Sequence, residues 1–315
     1  MKTRFEIVAV LVTSLFAFAL AQPKMKIAVI PKGTTHIFWK SVEAGARQAG
    51  KELGVEIIWK GPLKENDRAQ QIAIVEQFVT EKVTGIVLAP LDHTALQRPV
   101  AAAMQKRIPV VIFDSGLKGE PGKDFVSFVA TDNKKGGMIG GQHLAMLLNG
   151  KGKVVLLRYQ VGSASTMERE EGFLRAIAET KGLQVTVNNR YAGATAGEAK
   201  TASMNIIDKL REANGIFCSN ESATFGMLLA LRQSNLAGKV RFVGFDTSPP
   251  LIEALRNGEI DALVAQDPTL MGYKGVKTLV TRLQGKEVPP VIDTGVQLIT
   301  RENINTPDVK RLLGN

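Results

Sequence analysis

The apolar positions of the chain alternate between short continuous runs and longer amphipathic segments. The runs Lys26–Ile30, Val55–Trp59, Gly85–Ala89 and Pro109–Phe113 are rich in Val and Ile. Runs that are apolar at consecutive positions predict strands buried on both faces of a parallel sheet. The intervening segments have helical spacing, so a doubly wound parallel-sheet α/β unit is predicted. Its helices are predicted over 39–53, 68–82 and 94–106.

The same alternation begins again further along the chain, which predicts a second α/β unit of similar size. The later elements, from Ile260–Ala265 through a helix over 269–284 to a final strand near 293–299, are too few for a third domain. We expect them to complete the two sheets through several crossovers. The second unit has predicted strands at Lys153–Leu157, Leu183–Val187, Gly215–Cys218 and Val240–Phe245, and predicted helices over 134–148, 166–180, 195–211 and 222–235.

Residues 1–21 have the three parts of a secretory signal peptide. Lys2 and Arg4 precede the apolar stretch Ile7–Leu20, and the segment ends in the small-x-small sequence Ala19-Leu20-Ala21. The apolar stretch is shorter than the roughly 20 residues that span a bilayer. An uncleaved N-terminal anchor is the alternative. The sequence therefore predicts an exported, periplasmic protein.

Composition and charge exclude several classes of protein. The 315 residues are 44% hydrophobic and 22% charged, which is typical of a globular protein with a large core. The net charge is +10, but the basic residues are scattered, so nucleic-acid binding is not predicted. The single cysteine, Cys218, excludes an intrachain disulfide, and the three histidines lack metal-ligand spacing. We expect no metal and no cofactor.

Polar side chains follow the predicted strands of both units at their carboxyl ends. Lys32 and His36 follow the first strand, and Asp114 and Ser115 follow the fourth. Because ligands bind at this edge of open α/β sheets, the two units are predicted to form a shared polar cleft. For each residue alone, capping of the next helix is the alternative. The remaining strand-end positions are Thr131, Asn220, Asp246 and Gln266.

The chain carries no strong catalytic motif. Neither the phosphate-binding G-x-x-x-x-G-K-[ST] nor the nucleophile elbow G-x-S-x-G is present. Gly136–Gly141 lies within a helical pattern and predicts close helix packing. Asp114 and Asp246 are the one pair to consider as glycosidase carboxylates, and no feature of the sequence supports that chemistry. We therefore predict that the protein is not an enzyme.

Seven short segments, taken together in their order and spacing, form a specific sequence pattern. They are His36–Trp39 with Ser41–Ala46, Ile112–Ser115, Val129–Asn133, Glu168–Phe173, Phe217–Asn220, Val243–Asp246 and Ala265–Gln266. With them the chain resembles the periplasmic sugar-binding proteins of ribose type, the substrate-binding components of ABC importers, over residues 24–300. The resemblance implies two lobes joined by three hinge crossovers and closed by a sugar between them. It places 24–131 plus 266–295 in the first lobe and 132–265 plus 296–315 in the second.

The resemblance also implies the positions that contact the ligand. The chain differs from the ribose binders at Ser115, where they have Arg, and at Ala194, where they have an aromatic residue. Tyr159 and Tyr191 are the nearby candidates for that aromatic. The implied contacts are Lys32, His36, Phe38, Trp39, Asp114 and Ser115 in the first lobe, Arg169, Asn220, Phe245 and Asp246 in the second, and Thr131 and Gln266 at hinges.

The charges of this implied pocket indicate the kind of ligand. Asp114, Asp246 and Glu221 stand against Lys32 and Arg169, which favours a neutral monosaccharide or polyol over a phosphate or dicarboxylate. A sugar acid and a furanosyl signal molecule are the alternative ligands. The expected partners are this ligand and the membrane subunits of an ABC permease, with the protein itself a monomer. The alternative role is a ligand-sensing receptor for a chemoreceptor or sensor kinase.

Overall fold

The computed structural model describes residues 24–314, and the predicted signal peptide lies outside this range. Within it, no helix has the length and apolarity that a membrane crossing requires. The strands are β1 Lys26–Ile30, β2 Glu56–Trp59, β3 Gly85–Leu88, β4 Val110–Phe113, β5 Ser127–Ala130, β6 Lys151–Arg158, β7 Gly182–Tyr191, β8 Gly215–Cys218, β9 Arg241–Phe245, β10 Ala262–Ala265, β11 Val291–Asp293 and β12 Gln297–Thr300. The helices are α1 Ile37–Leu53, α2 Arg68–Thr80, α3 Gln97–Gln105, α4 Asn133–Leu147, α5 Ala164–Ala178, α6 Ala196–Met204, α7 Ile207–Glu212, α8 Glu221–Gln233, α9 Pro249–Arg256, α10 Pro268–Leu283 and α11 Pro307–Leu312.

The first lobe is a parallel sheet with the strand order β11-β5-β4-β3-β1-β2. Its central strands β3 and β4 are buried at every residue, which is why their sequences are continuously apolar. One face packs against α1 and α10, and the other face packs against α2 and α3. The predicted doubly wound α/β fold is confirmed.

The second lobe repeats this architecture with the strand order β12-β10-β9-β8-β6-β7. Its strands are parallel except β12, which runs antiparallel to β10. The buried residues Leu144 and Phe173 of α4 and α5 pack on one face, and α6, α8 and α9 cover the other. In both lobes the carboxyl ends of the central strands face the space between the lobes.

The chain passes between the two sheets at three places: from β5 to α4, from β10 to α10, and from β11 to β12. The single final strand predicted near 293–299 is wrong, because this segment forms two strands in different sheets. Gly295 lies between them with a φ of +84°, a left-handed conformation that glycine adopts without steric cost. The chain turns there and leaves one sheet for the other.

The single helix predicted over 195–211 is also wrong, since the structure divides it into α6 and α7. Ile206 separates them with φ −119° and ψ 21°, outside the helical region. Its side chain is buried in the core of the second lobe. Burial of this apolar side chain fixes the break, and helical periodicity alone does not reveal it.

Candidate functional site

Lys32 is a buried cation that reaches across the space between the lobes. It follows β1, and its Nζ lies 3.2 Å from the hydroxyl oxygens of both Ser163 and Ser165 in the second lobe. Within the first lobe, Nζ lies 3.5 Å from Asp114 Oδ2 and 3.8 Å from Glu65 Oε2. A buried ammonium requires such partners. Lys32 therefore places a positive charge with three N–H donors in the cleft.

Asp114 and Asp246 occupy matching positions in the two lobes, directly after β4 and β9. Both have left-handed backbone, with φ of +61° and +72°. Asp246 accepts hydrogen bonds from Gln266 Nε2 at 2.7 Å and from the backbone N–H of Glu221 at 2.9 Å. Asp114 Oδ2 is buried and has no hydrogen-bond partner among the described residues. Burial raises the pKa of both carboxyl groups, although neighbouring cations oppose the shift.

Arg169 is held rigidly on the second-lobe side of the cleft. Its guanidinium donates to Asn133 Oδ1 at 2.8 Å, to the Ser219 carbonyl at 3.0 Å and to Gln266 Oε1 at 2.8 Å. Its Cζ also lies 3.9 Å from the ring centroid of Phe245, in a cation–π contact. These contacts fix the guanidinium plane, so its remaining N–H groups are oriented before any ligand arrives.

Trp39 and Phe38 bring aromatic surface to the cleft at the start of α1. Trp39 is buried, and its Nε1 donates to Glu65 Oε1 at 2.7 Å. Its ring makes edge contacts with Phe38 and Phe113, at centroid distances of 5.0 and 6.2 Å. The backbone N–H of Phe38 donates to Glu221 Oε2 in the second lobe at 3.0 Å. An apolar ring face thus lies among charged groups, as recognition of a partly apolar ligand requires.

His36 precedes α1 and contacts both lobes. Its Nδ1 lies 2.8 Å from Glu65 Oε1, and its Nε2 lies 3.0 Å from the carbonyl oxygen of Ala194 in the second lobe. Burial disfavours the charged ring, but the charge of Glu65 and its hydrogen bond outweigh burial and raise the pKa of His36 to about 9. The same contacts, with Lys32, lower the pKa of Glu65 to about 2 despite its burial.

These groups enclose a small cavity between the lobes. Its volume is about 20 Å³, which is space for about one water molecule. A ring-sized ligand therefore enters only when the lobes separate or the side chains move. The lining residues are Lys32, His36, Phe38, Trp39, Glu65 and Asp114 of the first lobe, Ser165, Thr166, Arg169, Asn220, Glu221 and Asp246 of the second, and Gln266 at a crossover.

Three of the residues predicted from the sequence do not line this cavity. Ser115 is fully buried, and its hydroxyl accepts a hydrogen bond from the backbone N–H of Ser165 across the cleft. Thr131 lies at the first crossover, where its hydroxyl donates to the Gly295 carbonyl at 3.3 Å. Phe245 packs behind Arg169. The structure gives these three residues supporting positions around the cavity.

Glu65 is the lining residue that sequence reasoning missed. It lies in the loop between β2 and α2, not at the end of a strand, and its neighbours Lys64, Asn66 and Asp67 are exposed and polar. Nothing in that pattern separates a buried carboxylate from a solvated loop. Ser165 and Thr166 lie in the first turn of α5, and Glu221 belongs to the charge set predicted from the sequence.

The missing aromatic near position 194 has no direct replacement on the cavity wall. Tyr191 is 46% exposed and does not line the cavity. Tyr159 is 1% exposed, and its hydroxyl has no hydrogen-bond partner among the described residues. Burial and the neighbouring charge of Glu65 raise its pKa well above the usual value. At position 194 itself, the backbone carbonyl oxygen of Ala194 lies 3.0 Å from His36 Nε2.

Between residues 24 and 314, no group of three or more His, Cys, Asp or Glu side chains has the geometry to hold a metal ion. Cys218 is buried in β8, and burial raises its pKa well above the usual value. A fold of two α/β lobes with a polar, charge-lined cleft between them defines the two-lobed ligand-binding proteins. Three crossovers permit such lobes to move as units.

Sequence comparison agrees with this class. A family model described as a periplasmic binding protein domain matches residues 27–287, and the chain belongs to that family. The ribose import binding protein RbsB of Haemophilus influenzae is 31% identical over 268 residues, which cover 84% of this chain and 87% of that protein.

Solved structures of similar proteins have the same fold. A carbohydrate transporter solute-binding protein of Agrobacterium radiobacter in complex with D-arabinose is 34% identical, with a TM-score of 0.88 over 93% of this chain and 99% of that one. An ABC transporter solute-binding protein of Agrobacterium vitis with bound D-fucose is 36% identical, with a TM-score of 0.87 over 90% of this chain and 98% of that one.

Proposed function

We propose that this chain is an exported, periplasmic solute-binding protein. It captures a neutral monosaccharide or polyol between its lobes and delivers that ligand to the membrane subunits of an ABC importer. The observation that carries this proposal is the cavity itself, which lies between two lobes and is lined by charged hydrogen-bonding groups from both. The protein binds as a monomer, because one chain supplies both walls.

The chemistry of the cavity fits a polyhydroxylated ligand. Carboxylates accept hydrogen bonds from hydroxyl groups, Lys32 and Arg169 donate to hydroxyl oxygens, and Asn220 and Gln266 do both. Asp114 Oδ2 is buried near Lys32 but accepts no hydrogen bond from the described residues, so it has the most to gain from a ligand hydroxyl. The ring faces of Phe38 and Trp39 suit the apolar C–H face of a sugar ring.

The charge balance supports a neutral ligand. The cavity is lined by the carboxylates of Glu65, Asp114, Glu221 and Asp246 and by the cations Lys32, His36 and Arg169. A further negative charge, from a sugar acid or sugar phosphate, would add repulsion that no additional cation of the cavity offsets. The related proteins named above are import and transport components, with ribose, D-arabinose or D-fucose in their names or structures. We therefore place binding and import ahead of sensing or catalysis.

A thermal-shift screen tests the proposal. The chain from residue 22 onward is unfolded and refolded to remove retained ligand, then heated with D-ribose, D-arabinose, D-fucose, D-allose, myo-inositol, sugar acids and sugar phosphates. A ligand at a thousand times its Kd adds about 4 kcal/mol, which raises the Tm by roughly 5 to 10 °C in a chain of this size. We expect that shift with one or two neutral sugars or polyols.

A pair of variants locates the binding site. Lys32→Met removes one buried cation of the cavity wall and should abolish most of the ligand-induced shift. Lys40→Met removes an exposed cation of α1 and should leave the shift intact. A shift only with sugar acids or phosphates contradicts the neutral-ligand proposal. No shift with any compound in the panel contradicts sugar or polyol capture.

A further inference from the structure

The hydrogen bonds of His36 constrain the protonation of its ring. Nδ1 lies 2.8 Å from a carboxylate oxygen of Glu65, and Nε2 lies 3.0 Å from the backbone carbonyl oxygen of Ala194. An ionised carboxylate and a carbonyl only accept hydrogen bonds. A neutral imidazole has one N–H, so it leaves one of these buried contacts unmade. The geometry is satisfied only when both ring nitrogens carry a proton.

The two partners of His36 belong to different lobes. Glu65 lies in the first lobe with His36, while Ala194 lies in the loop between β7 and α6 of the second lobe. The Ala194 carbonyl is held in place because its own backbone N–H donates to Glu198 Oε2 at 2.6 Å. The contact between His36 Nε2 and Ala194 therefore exists only while the lobes are closed.

We propose that Glu65 is a positioning residue, which holds the His36 ring as a double donor so that Nε2–H hydrogen-bonds the Ala194 carbonyl and clamps the lobes shut. This inference rests on the proposed closure of the lobes in ligand binding. In this role Glu65 acts through His36, and the strength of closure depends on the protonation of one histidine.

The surroundings of Glu65 support this role. Glu65 Oε1 also accepts a hydrogen bond from Trp39 Nε1 at 2.7 Å, which fixes the carboxylate plane. Lys32 Nζ lies 3.8 Å from Oε2 and helps to keep the group ionised. The buried Tyr159 hydroxyl of β6–α5 also lies close to this charge. These contacts therefore hold the Glu65 carboxylate in a single orientation relative to the His36 ring.

The other charged group near His36 is Glu221, at the start of α8. Its Oε2 is occupied by the backbone N–H of Phe38, and Asp246 lies beyond it. Both carboxylates favour the imidazolium, and burial opposes it. Because the pKa of His36 is raised to about 9, the contribution of the clamp is complete at low pH and is lost as the pH rises through that value.

An engineered disulfide measures closure without any ligand. A Cβ on Gly116 of the first lobe would lie 3.5 Å from the Cβ of Ala164 in the second, within the range of about 3.5 to 4.5 Å that disulfides need. In the Gly116→Cys/Ala164→Cys protein, equilibrium with glutathione reports how strongly the closed state is favoured. Glu65→Gln is compared in this background with Glu76→Gln, which removes an exposed carboxylate of α2.

We expect Glu65→Gln to lower the disulfide equilibrium constant by about 10-fold relative to Glu76→Gln at pH 7, since it weakens a charge-assisted hydrogen bond. At pH 10 the two variants should converge, because His36 is then neutral in both. In parallel, NMR titration of the three histidines should show Glu65→Gln lowering the His36 midpoint by about 1 to 3 pH units.

Equal closure of the two variants at pH 7 overturns the clamp. A difference that persists unchanged at pH 10 also overturns it, because Glu65 would then act independently of histidine protonation. A His36 midpoint unaffected by Glu65→Gln excludes the positioning role. None of these measurements uses a sugar, so failure of the sugar screen and failure of the clamp are separate results.

Discussion

At the level of single residues, the two lobes use the same device to present a carboxylate. Asp114 and Asp246 each follow the last residue of a buried strand in left-handed backbone. Such a conformation is disfavoured for residues other than glycine, although Asp and Asn tolerate it best. The turn directs each carboxylate into the cleft directly at the end of its strand, without an intervening loop. Strained backbone of this kind is concentrated at functional sites.

The substitution Asp114→Asn separates binding from stability. Asn keeps the shape and tolerates the backbone, but it loses the negative charge of the buried Oδ2, which accepts no hydrogen bond from the described residues. We expect the affinity for the ligand found by the screen to fall by about 10- to 100-fold, the value of a charge-assisted hydrogen bond. The Tm without ligand should stay equal or rise, because burial disfavours the Asp114 charge. Calorimetric titration and thermal unfolding measure both quantities.

Asp208→Asn is the matched control, since Asp208 is an exposed carboxylate of the second lobe. It should leave both the affinity and the Tm unchanged. Undiminished affinity in Asp114→Asn would remove this residue from the binding site. A large loss of Tm would show that its role is structural.

At the level of elements, glycines set the distance between paired helices in both lobes. A Cβ on Gly137 of α4 would lie 1.9 Å from the Arg169 carbonyl oxygen, and one on Gly172 of α5 would lie 2.1 Å from that of Lys134. The helix pair α1 and α10 of the first lobe is built in the same way. The close packing predicted for Gly136–Gly141 is confirmed. It also positions Arg169, whose backbone rests directly on Gly137.

Gly137→Ala should therefore destabilise the second lobe and disturb the site together. Overpacking of this kind costs about 1 to 3 kcal/mol, measured as a lower free energy of unfolding in urea. Gly197→Ala is the matched control in α6, where an added Cβ meets only one atom, at 3.9 Å. Because Gly197 lies in the first turn of α6, this change should stabilise the protein by less than about 1 kcal/mol. Equal stability of the two variants would contradict the packing argument.

At the level of the whole molecule, the lobes also meet at a surface away from the cavity. Arg68 donates to Asp92 Oδ2 at 2.7 Å within the first lobe and to the Val161 carbonyl of the second at 2.9 Å. The backbone N–H of His93 donates to the Gly162 carbonyl at 2.9 Å. These contacts stabilise closure and touch no residue that lines the cavity.

Arg68→Ala should reduce the affinity for every ligand by the same factor. The arginine is about half exposed, so its loss should reduce affinity by only about 2- to 5-fold. The ratio of affinities between two ligands should not change, because the cavity wall is intact. Arg98→Ala removes an exposed arginine of α3 as the control. A change of preference between ligands would show that Arg68 acts on the cavity itself.

The alternation of buried strands and amphipathic helices in each lobe was determined by the sequence, because continuous apolar runs need burial on both faces and helical spacing needs burial on one. The strand-end positions of Asp114, Asn220 and Asp246 followed from the same pattern, since parallel strands share one carboxyl edge. Local sequence was sufficient here, because each residue lies next to the element that positions it.

Only the tertiary structure decided how the cleft is completed. Glu65 reaches the cavity because its loop packs against Gly33, where a Cβ would lie 2.8 Å from Glu65 Cγ. The contact between His36 and Ala194 joins residues 158 positions apart, and the division of β11 and β12 between two sheets depends on which neighbours have unpaired edges. These features depend on distant partners, so no local pattern of apolar and polar residues contains them.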